Sequence, residues 1–306
     1  MKKYLVTGGA GFIGSHIVRA LLEQGDFVRI LDNFSTGKRE NIAGLSIEII
    51  EGDLLDKAKI AEAVQGMDII FHEAAFVSVP QSMEDPLPCF EINQRGTEFL
   101  LEAARKADIK RVVLASSAAV YGDSNVRCDE ETPLRPLSPY AVSKIVDELY
   151  AEMYTRSFGL DVVALRYFNV YGPRQRPDSM YAAAVPIFTR RLIDGKPVTI
   201  YGDGGQTRDL VYVGDIVRAN LVASEHPAAP GQVFNICSGD EIRVIDIIEN
   251  LIDFFPNAPA PEFSPARAGD IYRSVGSPAK AQKMLGFETQ TSLETGLKAV
   301  VDWMKG

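Results

Sequence analysis

Tyr140 and Lys144 stand four residues apart in Ser138-Pro139-Tyr140-Ala141-Val142-Ser143-Lys144, a spacing that puts a phenol and an ammonium side by side on a helix. A phenol ionises near pH 10 (roughly), and base catalysis near neutrality asks for a drop of about 3 units, or roughly 4 kcal/mol. A neighbouring ammonium in a partly dry site can supply that. A hydroxyl to bond the reacting oxygen is offered by Ser117 or Ser116, in Leu114-Ala115-Ser116-Ser117-Ala118-Ala119-Val120-Tyr121-Gly122. Such a trio moves protons on an alcohol or ketone and needs a hydride carrier. Taken alone, Tyr-x-x-x-Lys also suits a plain surface helix, and a serine at a strand end is often a turn former.

The carrier is announced by Thr7-Gly8-Gly9-Ala10-Gly11-Phe12-Ile13-Gly14, directly behind the apolar strand Tyr4-Leu5-Val6 and opening a helix. Glycines at 8 and 11 let the chain turn tightly and let phosphate approach the main chain. Gly14 lets the helix pack on the strand, while free amides at the helix start meet the anion. The spacing Gly-x-x-Gly-x-x-Gly is a variant of the dinucleotide fingerprint. The second strand, Phe27–Leu31, ends in Asp32, whose carboxylate suits both ribose hydroxyls and repels a 2′-phosphate. That favours NAD over NADP, with Lys38 and Arg39 nearby as the opposing signal.

At 306 residues the chain can bury a large core, and 46% hydrophobic with 24% charged residues is ordinary for a globular protein. The net charge of −9, without a basic tract, argues against nucleic acid or anionic membrane as a partner. Three scattered cysteines, Cys89, Cys128 and Cys237, suggest neither a disulfide framework nor a metal site and fit a reducing cytoplasm. The start of the chain reads as a strand, and no apolar run reaches membrane length, so a cytoplasmic location without signal or anchor is expected.

The elements that position these groups alternate. Strands are expected at Lys3–Val6, Val28–Leu31, Ile47–Ile50, Ile69–Phe71, Val112–Ala115 and Val162–Leu165. Helices are expected near Ile13–Gln24, Lys57–Val64, Phe90–Ala107 and Pro139–Ser157. This is the order of a Rossmann-type, doubly wound parallel α/β sheet, which binds ligands at the carboxyl ends of its strands. Ser138 and Pro139 are good first residues for the last of these helices, and Val142, Ile145, Val146, Leu149 and Met153 are its expected buried stripe. Residues 1–169, completed by segments near 210–237, read as the nucleotide-binding domain. Residues 170–306, rich in proline and glycine, read mainly as a smaller α/β substrate-binding lobe. Its last helix, Leu293–Met304, has one apolar stripe.

These residues together make the chain similar to the extended short-chain dehydrogenases/reductases, and within them it resembles the UDP-hexose 4-epimerases, essentially end to end. The tags are Thr7–Gly14, Asp32-Asn33-Phe34-Ser35-Thr36-Gly37, Gly52-Asp53-Leu54, His72-Glu73-Ala74-Ala75, Asn93, Ser116–Gly122, Tyr140–Lys144 and Arg166–Pro173. They continue through Thr207-Arg208-Asp209, Val213-Gly214-Asp215 and Arg267-Ala268-Gly269-Asp270. The resemblance implies Ser117 as the catalytic hydroxyl, with Ser116 the fallback. Tyr140 is implied as base, with Lys144 as its partner and a ribose ligand. Gly8, Gly11, Phe12 and Ile13 would hold the pyrophosphate of NAD. Asp32, Asn33, Ser35 and Gly37 would hold the adenosine ribose region, Asp53 and Leu54 the adenine, and Ala74, Ala75 and Tyr167 the rest. Asn169, Arg208, Arg267 and Asp270 would bind the UDP moiety. A homodimer through Phe90–Ala107 and Pro139–Ser157 is also implied.

Related dehydratases and decarboxylases resemble this chain too, but carry an acid one or two places after the serine, where this chain has Ala118 and Ala119. That favours simple epimerisation at carbon 4 through a transient 4-keto sugar. UDP-glucuronate 4-epimerase, another sugar-nucleotide enzyme of the group, or a non-catalytic NAD-sensing module are the alternatives. The position four after Asp270, a gate beside the sugar 2-position in the family, is the small Ser274. With Ser78-Val79-Pro80, it resembles members that admit N-acetyl sugars. UDP-N-acetylglucosamine and UDP-N-acetylgalactosamine are therefore expected substrates beside UDP-glucose and UDP-galactose.

Overall fold

The structure is a computed structural model that describes residues 1–177, 184–266 and 271–306. Strands β1 (Lys3–Thr7), β2 (Phe27–Asp32), β3 (Glu48–Glu51), β4 (Ile69–His72), β5 (Arg111–Ser117) and β6 (Val162–Tyr167) pair in parallel. With β11 (Val233–Ile236), they form one seven-stranded sheet in the order β11-β6-β5-β4-β1-β2-β3. The chain crosses from β3 to β4 on the other side of β1. That reversal opens a crevice at the carboxyl ends of β1 and β4, where such sheets take their ligands.

The strands are apolar on both faces because helices cover both. Tyr4, Val6, Ile30, Phe71, Val113 and Val163 face one core, with Ile17, Val18 and Leu21 of helix α1 (Phe12–Glu23). Leu5, Leu31, Ile70, Val112, Leu114 and Val162 face the other, with Ile60 and Val64 of α2 (Lys57–Val64). After β4 come the short helices α3 (Val79–Glu84) and α4 (Pro86–Cys89), then a π-helical turn Phe90–Arg95 that runs into α5 (Gly96–Lys106). Leu100, Leu101 and Ala104 of α5 complete the second core.

Helix α6 (Pro139–Phe158) starts as its sequence predicts: Ser138 Oγ accepts from Ala141 N at 3.1 Å, and Pro139 follows. Its buried face differs from expectation. Val142 and Leu149 are 43% and 59% exposed, and Ile145, Val146 and Met153 are half-buried. The inward residues are Ala141, Ser143, Lys144, Asp147, Glu148, Ala151 and Tyr154. Ser143 and Glu148 face inward because partners on the π-turn, β5 and β6 bond them, and Lys144 and Asp147 pair with each other, so the apolar stripe is left outside.

The second half is built of short elements. Strands β7 (Asn169–Tyr171) and β10 (Leu210–Tyr212) pair in parallel, as do β8 (Thr199–Tyr201) and β13 (Glu262–Ser264). Strands β9 (Thr207–Arg208), β12 (Ile242–Arg243) and β14 (Arg273–Ser274) form a third small sheet. Helices α7 (Ala184–Ile193), α8 (Val244–Ile252) and α9 (Leu293–Lys305) share a separate core through Phe188, Ile248, Leu251, Leu297, Val300 and Val301. Leu293 and Met304 join it from the two ends of the last helix.

Candidate active site

The glycine turn behind β1 is shaped by contact rather than by hydrogen bonding alone. Gly8 has φ +68°, and a Cβ there would stand 2.8 Å from Ala74 N across the crevice. Ala74 N itself donates to Thr7 Oγ1 at 3.2 Å, which fixes Ala74 and Ala75 against β1. Gly11 precedes α1 without any side-chain cap, so the amides of Phe12 and Ile13 head a helix whose first turn is left for an anion. Asp32, buried at the end of β2, accepts from Ala10 N at 2.9 Å and Phe34 N at 2.8 Å. Each carboxylate oxygen keeps a lone pair for a ribose hydroxyl.

Beyond Asp32, Asn33 Nδ2 donates to Asp53 Oδ2 at 2.7 Å, while Ser35 N and Oγ donate to Asn33 Oδ1. Gly37 lies against Ala10 and Asp32, where a Cβ would crowd both. Leu54 is buried beneath this cluster, against Gly96. Arg39 is engaged with Glu51 at 2.6 Å and stacks on Phe34, so it already has partners beside the ribose loop. The cradle fits a dinucleotide.

At the ends of β5 and β6, the two serines part company. Ser116 is buried and donates to Glu148 Oε1 at 2.6 Å; Glu148 is also bidentate with Arg166, at 2.8 and 2.7 Å. Arg166 Nη1 donates in turn to Tyr121 Oη at 2.7 Å. Ser117 is half-buried, and among the described residues its Oγ accepts only from Ala119 N, at 3.2 Å, in the 3₁₀ turn Ala118–Tyr121. Ser117 is thus the hydroxyl with bonding capacity left for a ligand.

Tyr140 opens α6, where its backbone N donates to Ser82 Oγ at 3.3 Å, tying it to α3. Lys144, one turn on, is buried, and its Nζ lies 3.1 Å from Asp147 Oδ2. Burial lowers the lysine pKa, but Asp147 first, then Tyr140 and Glu73, outweigh it and raise it above the usual value. His72 is buried between Thr7 Oγ1 at 2.7 Å and Thr97 Oγ1 at 3.0 Å, and burial drops its pKa to about 3, so it stays neutral. Glu73 accepts from Tyr167 Oη at 2.8 Å, and Asn220 holds the same phenol oxygen at 2.7 Å. Glu73 as a whole is half-buried while its carboxyl is shut in, and burial pushes that carboxyl up to about 7.

The second half supplies the remaining groups. Asn169 Nδ2 donates to Asp209 O at 3.1 Å. Ser274 is the strand partner of Arg208 in the β9–β14 pair, so the proposed sugar gate and one proposed UDP ligand share a register position. Asp209, fully buried beside them, accepts from Ser238 N, Ser238 Oγ, Gly239 N and Gly276 N at 2.7–3.2 Å and locks the strand. Ser78 caps α3, its Oγ accepting from Gln81 N at 3.3 Å. Arg267 and Asp270 lie outside the described residues.

Sequence reasoning missed the supports: Ser82, Asp147, Glu148 and Thr97. It also missed the π-turn, reading one helix over Phe90–Ala107. The wider turn carries Asn93, whose amide bonds Phe76 O at 3.0 Å and Ser143 Oγ at 2.9 Å while its carbonyl accepts from Phe76 N. It thereby pins the loop after Ala75 to α6. Such turns recur at functional sites, and a buried Asn inside an apolar helical pattern was the available signal.

A nucleotide cradle, a serine–tyrosine–lysine set and a parallel sheet define a class, and known proteins place the chain within it. The NAD dependent epimerase/dehydratase family matches residues 4–237. A putative UDP-glucose 4-epimerase of Methanocaldococcus jannaschii is 42% identical over 98% of both chains. A UDP-N-acetylglucosamine 4-epimerase from Methanobrevibacter ruminantium, solved with UDP-N-acetylmuramic acid, is 38% identical over 99% of this chain and 98% of that one, with a TM-score of 0.95. A UDP-glucuronic acid 4-epimerase from Bacillus cereus, solved with UDP-glucuronic acid and NAD, is 34% identical over 99% of each chain, with a TM-score of 0.91. The chain is an extended short-chain dehydrogenase/reductase of the NAD dependent epimerase/dehydratase family. Its cofactor is NAD, and it belongs among the enzymes that act on UDP-sugars. Among the described residues, no helix is long and apolar enough to cross a membrane.

Proposed function

We propose that this protein inverts carbon 4 of UDP-hexoses, interconverting UDP-glucose with UDP-galactose and UDP-N-acetylglucosamine with UDP-N-acetylgalactosamine. The observation that carries this reading is the intact Ser117, Tyr140 and Lys144 set beside a 3₁₀ turn in which the two residues after Ser117 are alanines. Tyr140 takes the 4-hydroxyl proton, Ser117 holds the 4-oxygen, and Lys144 stabilises the phenolate. The Gly8–Ile13 cradle would hold NAD, which would supply reversible hydride exchange at carbon 4, so that a 4-keto sugar turned within the site is reduced on its opposite face. Tyr140 then gives the proton back. Because Ala118 and Ala119 cannot transfer protons, no further elimination or decarboxylation is driven from that turn.

Asn169, Arg208, Arg267 and Asp270 hold the UDP moiety in this reading, and Ser78 and Ser274 border the sugar. The small side chain at 274, beside Arg208, supports room for an acetamido group. The exposed apolar residues Phe90, Val142 and Leu149 on the π-turn and α6 support the homodimer through these helices. The test is to give purified protein UDP-galactose with no added NAD. UDP-glucose should form; loaded protein that yields none from either hexose pair would refute the proposal.

A further inference from the structure

We propose that Asp147 is a positioning residue for this reaction: its carboxylate keeps the Lys144 ammonium charged and in place, and so sets the pH range in which Tyr140 acts as base. The inference rests on the Tyr140–Lys144 roles proposed above.

Lys144 and Asp147 are 4% and 2% exposed, 3.1 Å apart and one turn along α6 from each other. Burial to that degree lowers the pKa of an ammonium unless a negative charge beside it compensates. The other groups around it cannot do that work. His72, from β4, is neutral. The Cys89 thiol, from α4, is pushed up by burial and stays protonated. Burial pushes Glu73, from the loop after β4, up to about 7 and Asp147, which lies 3.1 Å from the ammonium, up to only about 6, so Asp147 is the carboxylate that is charged across neutral pH. Tyr140 is the reacting group itself. Glu148 adjoins Asp147 on α6, but its two oxygens are taken by Arg166 and Ser116. Thr97 of α5 contributes only a hydroxyl.

Asp147 itself is held incompletely. Its Oδ1 is buried without a well-formed hydrogen bond, so the carboxylate is not built into a structural network as Glu148 is. Among the described residues, its one close charged partner is Lys144 Nζ. A buried acid with spare capacity, next to the ammonium that must face a phenol, matches a tuning role better than a scaffolding one.

Asp147→Asn removes the charge and keeps the shape. The Lys144 ammonium then deprotonates at lower pH, while below that point Tyr140 feels an ammonium no longer half-neutralised. Both limbs of the pH–rate profile should move to lower pH by about one unit or more, the size expected for a charge a few ångströms away. Ultraviolet titration of the Tyr140 phenol, as the difference from Tyr140→Phe, should show the same shift. That reading needs no turnover, so it tests Asp147 even if the substrate assignment fails. If Asp147→Asn folds poorly, Lys144→Met in the same chain should raise its thermal midpoint by removing the stranded ammonium. A folded, NAD-loaded Asp147→Asn variant with an unshifted phenol titration, or a double variant no more stable than the single one, would overturn the proposal.

Discussion

Replacing Ser116 and Ser117 in turn by alanine separates two adjacent hydroxyls that have opposite jobs. Ser116 Oγ donates 2.6 Å to a Glu148 carboxylate that also neutralises buried Arg166, with the pair 6% and 5% exposed. A hydrogen bond to a charged, buried partner is worth about 1.5–3 kcal/mol, so Ser116→Ala should lower the unfolding free energy by that amount. The geometry of Tyr140 is held separately, through Ser82 and Ser138, so turnover of the folded fraction should fall less than tenfold (roughly), the reach of a distant packing change. Ser117 should show the converse. Its structural duty is one 3.2 Å cap on a single 3₁₀ turn, worth about 0.5–1 kcal/mol. As the donor to the reacting oxygen it should carry about 10²–10³ in kcat. Urea unfolding and initial rates on both variants give the four numbers needed. Near-normal turnover in Ser117→Ala, with Ser116→Ala folded but inactive, would transfer the catalytic role to Ser116.

Tyr140→Phe should keep NAD bound while turnover falls about 10²-fold or more; cofactor absorbance and rate on one sample check both. Glu73→Gln tests the buried carboxyl. Its folded pKa of about 7 lies above its ordinary 4.5, so ionisation opposes folding, and the wild-type chain should lose stability relative to the variant as pH rises from 4.5 to 7. The difference is bounded by about 3 kcal/mol and stays flat above 7, and unfolding curves at constant separation across that window would contradict it. Ser274→Tyr should abolish activity on the acetamido sugars and spare the plain hexoses, measured as kcat/KM on both. Solution mass should give twice the 33.5 kDa chain, and Leu149→Lys, at an exposed apolar position of α6, should return it to one.

Much of this site was readable before any coordinates, because its signals are local. Gly8 to Gly14 must turn and pack, Asp32 must end a strand, and Ser138-Pro139 must start a helix; each depends on neighbours a few residues away. The strands of the first half were legible for the same reason, their ends differing from expectation by one or two residues. What was not legible is held by distant partners. Nothing near Asp147 or Glu148 says they point inward, since that depends on Arg166, Ser116 and Thr97, 18 to 50 residues away. For the same reason Val142 and Leu149 read as core and lie outside: periodicity finds the apolar side of a helix, and here tertiary pairing turned the polar side in. The π-turn around Asn93 likewise answers to Phe76 and Ser143, not to its own sequence.

In the proposed reaction, hydride leaves carbon 4 and returns to it within one site. UDP-galactose carrying deuterium at carbon 4 should yield UDP-glucose with the deuterium still at carbon 4 and none lost to water, read by mass and by proton resonance. Product whose carbon 4 carries hydrogen from solvent would rule out this hydride route, because a base that removed a proton from carbon, rather than from the hydroxyl, would have done the inversion.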